Sequence, residues 1–154
     1  MMIIKPPHSL SGIETRFSVF LAGSIEMGIA ENWQETIEAA LEYEKDLCIL
    51  NPRRNDWDAS WKQDKENKQF SEQVNWELDA LETANMIVFY FSPETKSPVS
   101  MLELGLFART GKLVVCCPDG FWRKGNIDIV CEKYNIKQVN TLNEIINLIK
   151  QRTL

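Results

Sequence analysis

The chain has one histidine in 154 residues, His8, set in a proline-flanked segment near its start. A Ser-His-Asp triad, a Cys-His pair and a histidine-rich zinc site all need a well-placed imidazole, so none of these is expected. Its four cysteines, Cys48, Cys116, Cys117 and Cys131, form no C-x-x-C pair. Cys48 and the adjacent pair sit in apolar runs, which predicts buried free thiols in a reducing compartment and hence a cytoplasmic location. No segment approaches the ~20 apolar residues a membrane span requires. Lys5-Pro6-Pro7 interrupts the only early apolar run, so no signal peptide is expected. The net charge of -5 lacks the basic excess that would hold a nucleic acid polymer or an anionic membrane. The glycine turn Gly23-Ser-Ile-Glu-Met-Gly28 is not G-x-G-x-x-G, so the dinucleotide fingerprint is absent too. No internal repeat or low-complexity segment interrupts the chain.

What is present reads as one α/β domain. Apolar content of 44% and charge of 25% are ordinary for a soluble globule with a good core. Residues 1–16 read as an N-terminal arm, with a candidate short strand at Met2 to Ile4. Residues 17–154 read as a single domain. Strands are expected at Phe17 to Ala22, Leu47 to Leu50, Met86 to Phe91, Leu113 to Cys117 and Ile136 to Val139. Helical spacing is expected over Asn32 to Lys45, Gln69 to Thr83, Asn126 to Tyr134 and Thr141 to Gln151, and after Ser97. In the second of these, Phe70, Val74, Leu78 and Leu81 form the predicted buried stripe. Five strands alternating with five helices predict a three-layer, open parallel sheet of flavodoxin-like order.

The chemistry concentrates after the strand at Met86. Ser97-Pro-Val-Ser-Met-Leu-Glu-Leu-Gly105 opens a helix beyond that strand's carboxyl end, where open α/β sheets bind ligands. Glu103 has two readings. Ser100-Met-Leu-Glu103 fits a capping box, which would make Glu103 a cap. With Ser97 as the cap and Pro98 at the first helical position, Glu103 is free for chemistry, and the helix dipole would hold it ionised as a nucleophile. Glycine inside a helix costs roughly 1 kcal/mol against alanine, so Gly105 predicts close packing or a nearby ligand. Gly23 would likewise let a ligand approach the backbone. The long loop Asn51 to Trp61 carries two arginines and two tryptophans; either it is an aromatic lid over a planar ligand, with Arg53 or Arg54 facing an anion, or its tryptophans are tucked on the core. Glu77 lies four residues after Gln73, beside the buried stripe of its helix.

Five motifs together resemble the nucleoside 2-deoxyribosyltransferase-like family from Ser18 to about Leu148: Phe20-Leu-Ala-Gly-Ser-Ile25, Asn51-Pro-Arg-Arg54, Trp76-Glu-Leu78, Leu102-Glu-Leu-Gly105 with Ala108, and Gly120-Phe-Trp-Arg-Lys-Gly-Asn126. The resemblance implies a flavodoxin-like fold and cleavage of the N-glycosidic bond of a nucleoside or nucleotide by a glutamate nucleophile, here Glu103. It implies that Glu77 stands where an aspartate helps to hold sugar or base, and that Gly23, Ser24 and Ile25 floor the sugar site. The family's second aspartate, six residues before the nucleophile, is replaced here by Ser97. Related nucleotide N-hydrolases place a serine there near the phosphate, which leans the reading towards a phosphorylated substrate and water as acceptor. A homodimer or larger homo-oligomer is implied, with Asn126 serving a neighbour's site, and neither a metal nor an organic cofactor.

The physical account runs beside this. A carboxylate under the anomeric carbon can trap the cation that develops there as the base departs. The departing base needs a proton or hydrogen bond, for which Glu77, Glu26 and Asp128 are candidates in that order. Trp57 or Trp61 would cover the base. Two rivals are a non-catalytic nucleotide sensor on the same fold and an NAD glycohydrolase.

Overall fold

The computed structural model describes residues 1–26 and 30–153. Met27 and Gly28 of the expected glycine turn lie outside the described residues. Six strands run in parallel: β1 (Met2–Ile4), β2 (Phe17–Gly23), β3 (Leu47–Leu50), β4 (Met86–Tyr90), β5 (Leu113–Cys116) and β6 (Lys137–Val139). They lie in the order β1-β3-β2-β4-β5-β6. Without the edge strand β1 this is the flavodoxin-like order. The expectation of five strands is corrected to six: Met2, Ile3 and Ile4 pair with Cys48, Ile49 and Leu50, extending the sheet beyond β3. Three residues are too few for alternation to show, and only β3's free edge makes them a strand.

The central strands are apolar on both sides because helices cover both faces. On one face, α1 (Trp33–Ala40) and α5 (Leu142–Arg152) bury Trp33, Ile37, Ile145, Ile146 and Ile149 against Val19, Leu21 and Val88. On the other, α2 (Lys68–Thr83), α3 (Pro98–Phe107) and α4 (Lys124–Lys133) cover Phe20, Ile87, Phe89 and Val115. The four cysteines are buried free thiols. No helix among the described residues is long and apolar enough to cross a membrane.

Two expectations about helices need correction. α1 stops at Ala40 rather than near Lys45. Leu41 is its last buried residue, and beyond it Tyr43 is 85% exposed, so nothing apolar holds a further turn to the sheet. The buried stripe of α2 is Gln73, Trp76, Ala80 and Leu81, while Phe70, Val74 and Leu78 are only half-buried. Trp76 sets this rotation: its ring lies 6.4 Å from Phe20, and its Nε1 donates to the His8 carbonyl at 2.8 Å. That bond also ties the N-terminal arm to the core. The rotation brings Gln73 inside, and Glu77 with it to the edge of the buried face.

Candidate active site

The strand order reverses between β2 and β4, and the crevice beyond their carboxyl ends is the position where such sheets hold ligands. Gly23 ends β2 there with φ of 137°. A Cβ on it would lie 2.2 Å from the Tyr90 carbonyl oxygen, so it is the neighbouring strand, not a ligand, that requires glycine. Ser24 follows, fully buried, with its amide donating to that same Tyr90 oxygen. Its hydroxyl closes a triangle with Thr95 and Ser97, with sides of 2.7, 2.7 and 2.8 Å, and also accepts from the Ser92 amide. This buried lattice pins the β2 and β4 loops together. Ile25 is half-buried beside it.

α3 begins at Pro98 with Ser97 as its N-cap residue, so the capping box at Ser100 and Glu103 is not formed. The Ser97 hydroxyl does not cap either; it is held in the triangle. The capping anion comes from elsewhere. Glu26 Oε1 accepts from the amides of Lys96 and Ser97, the latter at 2.6 Å. Glu26 and Ser97 both adopt left-handed backbone, with φ of 40° and 47°. The two amides just ahead of α3 therefore already hold a carboxylate.

α3 is apolar on both sides, with polar groups on its buried one. Its buried residues are Ser100, Glu103 and Leu104, whereas Val99, Leu102 and Leu106 are 58–64% exposed. Glu103 is 7% exposed and makes no side-chain hydrogen bond among the described residues. It is the sixth residue of α3, beyond the first turn where the dipole acts. Its surroundings work against the ionised form expected from the dipole: burial first, then the charge of Glu77, push its carboxyl up to about 8. Gly105 is exposed and an added Cβ would meet nothing within 4 Å, so the chain does not pack closely there.

Glu77 reaches the same place from α2. Its carboxyl is the buried end of a half-exposed residue, and burial raises it to about 7 against the opposing hydrogen bond from Gln73 Nε2, at 2.6 Å. Neither Glu77 nor Glu103 has a cation partner among the described residues. Two carboxyls without a countercharge hold close to one proton between them near neutral pH.

The other acid candidates do not join the pair. Asp128 is bonded to Lys124 Nζ at 3.0 Å and to Gln138 at 2.8 Å; partial burial opposes these bonds, but together they hold its carboxyl below the ordinary value. Glu26 is engaged at the start of α3. Asn126 is exposed on α4 and makes no side-chain hydrogen bond among the described residues. Arg53 is occupied as well: its guanidinium donates to the Glu31 and Ala30 carbonyls and to Gln34 Oε1. Arg54 grips Asp56 through two bonds, of 2.9 and 2.8 Å, and lies over Trp61. Trp57 meets Trp61 edge-on at 5.0 Å, so the two half-buried tryptophans pack as a unit with Arg54.

Sequence reasoning missed Gln73 as part of the site. It is 5% exposed, and its Nε2 donates to the Pro52 carbonyl as well as to Glu77. The signal available was its spacing, one helical turn before Glu77 on the same face.

Comparison with known proteins agrees with this architecture. A family model described as nucleoside 2-deoxyribosyltransferase like matches residues 16–121. Among solved structures, a conserved protein from Enterococcus faecalis V583 superposes with a TM-score of 0.60 at 16% identity, covering 89% of this chain and 99% of that one. The CMP N-glycosidase BcmB of Clostridium botulinum superposes with a TM-score of 0.56 at 16% identity, covering 88% and 98%. At these identities the likeness is one of fold. No curated protein sequence matches the chain.

Proposed function

The chain belongs to the nucleoside 2-deoxyribosyltransferase-like family, and we propose that it cleaves the N-glycosidic bond of nucleosides with Glu103 as nucleophile and Glu77 as the proton source for the departing base. The observation that carries this reading is the pair itself: two desolvated carboxyls without a countercharge, delivered by different helices. Structural stability alone gives no reason to bury an acid with no partner.

In the first step a Glu103 oxygen bonds to the anomeric carbon as the carbon–nitrogen bond breaks. The electron pair leaves with the base, which takes the proton from Glu77. In the second step water or another base attacks the same carbon, the ester bond breaks, and Glu103 departs as a carboxylate. Glu77, now a carboxylate, takes the proton of the attacking group and is restored to its acid form. An alcohol does not donate as an acid near neutral pH, so the proton comes from the pair and not from Ser97. The reactive form carries it on Glu77 and leaves Glu103 ionised, and because burial raises Glu103 the more, this is the less populated of the pair's two one-proton arrangements. Ser24, Thr95 and Ser97, bonded to one another, would hold the loop that floors the sugar, and the packed pair Trp57 and Trp61 would cover the base.

A second observation bears on the substrate. Glu26 holds the Lys96 and Ser97 amides just ahead of α3, and Arg53 is engaged with carbonyl groups. These engagements favour an unphosphorylated nucleoside over the phosphorylated substrate that Ser97 suggested from sequence. The exposed apolar residues Val99, Leu102 and Leu106 support a homo-oligomer formed through the outer face of α3.

The test is base release from a panel of nucleosides, their 5'-monophosphates and NAD, each with and without a second free base. Release from nucleosides that disappears in Glu103→Gln supports the reading. Turnover of monophosphates alone would reverse the substrate assignment, and release from NAD alone would make the protein a glycohydrolase of that dinucleotide. Binding without turnover of any of them would leave a sensor.

A further inference from the structure

Gln73 is buried at the junction of α2 and the loop that follows β3. Its Nε2 donates to the Pro52 carbonyl at 3.0 Å and to Glu77 Oε1 at 2.6 Å. The Pro52 carbonyl can only accept, so the nitrogen must face it and the amide cannot turn over. The oxygen is thereby forced to the other side, where it is buried and has no partner. A buried acceptor left unpaired in a native fold calls for an explanation.

Its company narrows the explanation. Among the described residues, the buried side-chain polar atoms without partners are Gln73 Oε1, Gln34 Nε2, Arg54 Nη1 and Trp57 Nε1. All four belong to the Asn51–Trp61 loop or to residues bonded to it: Gln73 through Pro52, and Gln34 through Arg53. The unpartnered buried side-chain atoms of the described residues are thus all tied to one loop. Of the four residues, Gln73 is the one whose other amide atom also holds a carboxyl of the proposed pair.

We propose that Gln73 both positions Glu77 and recognises the substrate: its amide nitrogen fixes the Glu77 carboxyl, and its amide oxygen accepts a hydrogen bond from a donor on the nucleoside, either an exocyclic amino group of the base or a hydroxyl of the sugar. This rests on the N-glycosidic reading above. The oxygen lies one amide width from the nitrogen that touches Glu77, so a group accepting the Glu77 proton brings its own donors within reach. The groups facing the Glu77 carboxyl are Gln73 on its own helix and Glu103 on α3. Loss of the Gln73 bond removes the contact that favours ionised Glu77, so Glu77 stays protonated to higher pH.

The experiment measures kcat/KM for two substrate pairs, with wild type and Gln73→Met. One pair is 2'-deoxycytidine against 2'-deoxyuridine, which exchanges an amino for an oxo group. The other is a 2'-deoxynucleoside against its 2',3'-dideoxy counterpart, which removes a hydroxyl. Wild type should favour the donor-bearing member of one pair, and that pair identifies the source of the donor. Methionine keeps the length and removes both hydrogen bonds, so it should lower kcat/KM for that substrate by on the order of a hundredfold and bring the ratio close to one. The basic limb of the pH–rate profile should move to higher pH. A purely structural glutamine would lower all four substrates together and leave the limb in place, and that result overturns the proposal. Should Gln73→Met fail to fold, wild type decides alone: equal turnover within both pairs overturns the proposal. Wild type that releases no base from any nucleoside removes the underlying reading and this proposal with it, whereas release without selectivity removes only the proposal.

Discussion

α3 and α5 are of nearly equal length and dock on the same sheet, yet they are built on opposite plans. α5 buries Ile145, Ile146 and Ile149, is capped by Thr141, whose hydroxyl accepts from the Glu144 amide while the Glu144 carboxylate accepts from the Asn140 amide, and carries Lys150 and Arg152 in its last turn. Every local rule of helix stability is obeyed there. α3 buries a serine and a glutamate, exposes a valine and two leucines, and has no acid in its first turn or base in its last. Its cap comes from a distant glutamate. A helix that breaks the rules another obeys is held by its surroundings, and the proposed nucleophile lies on the side where the broken rule is buried.

Substitutions can break or sharpen that contrast. The largest effect is expected for Glu103→Gln, which keeps size and removes the charge: kcat should fall by on the order of a thousandfold or more. Stability should move the other way. The folded carboxyl is raised to about 8, above its unfolded value, so its full stability is present below the unfolded pKa and is lost as pH rises through the folded one. The variant should therefore melt higher than wild type at pH 8.5 and about equally at pH 4, with about 2–4 °C for each kcal/mol of relieved burial cost. Thermal denaturation at the two pH values checks this, and a lower melting temperature at pH 8.5 would contradict it.

Glu77→Gln comes next. It removes the proton source but leaves the nucleophile, so kcat should drop by about 10²–10⁴ for poor leaving bases. A substrate whose leaving group needs no proton should be nearly spared. An equal loss on both substrates would deny Glu77 its assigned part.

On α5 the effect is smaller and of another kind. Thr141→Ala removes the side-chain bond to the Glu144 amide, at 3.2 Å, and should cost about 1 kcal/mol of stability by denaturant titration. Activity per folded molecule should be unchanged. The smallest effect on the fold is expected for Leu102→Ser on α3, within about 0.5 kcal/mol, because this side chain is 64% exposed. The same variant should shift the protein to a smaller species in sedimentation. An unchanged sedimentation coefficient would take the outer face of α3 out of any interface between copies.

Much of the fold was legible because strong local signals agreed. Apolar runs marked the central strands, Thr141 and Glu144 marked the start of α5, and Ser97 with Pro98 marked the start of α3. β1 was less legible, since its pairing depends on a partner 46 residues away. The stripe on α2 was read by hydrophobicity alone, and Trp76 turned the helix so that a glutamine went inside and Phe70 did not.

The candidate site divides in the same way. Glu103 and Glu77 could be named from their places in ordered motifs, because chemistry constrains residue type and spacing along the chain. Their protonation could not be read there. A helix-dipole argument predicted an ionised Glu103, but desolvation acts through the neighbours that tertiary packing supplies, and here it pushes the carboxyl up. The engagement of Arg53 with carbonyls, of Glu26 with the start of α3 and of Gln73 with Pro52 and Glu77 likewise joins segments separated in sequence. Sequence alone determined the central strands and the places of the helices, and it singled out the acids proposed for the chemistry. Tertiary structure decided how those acids share their charge and which donors remain for a substrate, because burial and hydrogen-bond partnership are properties of the packed chain.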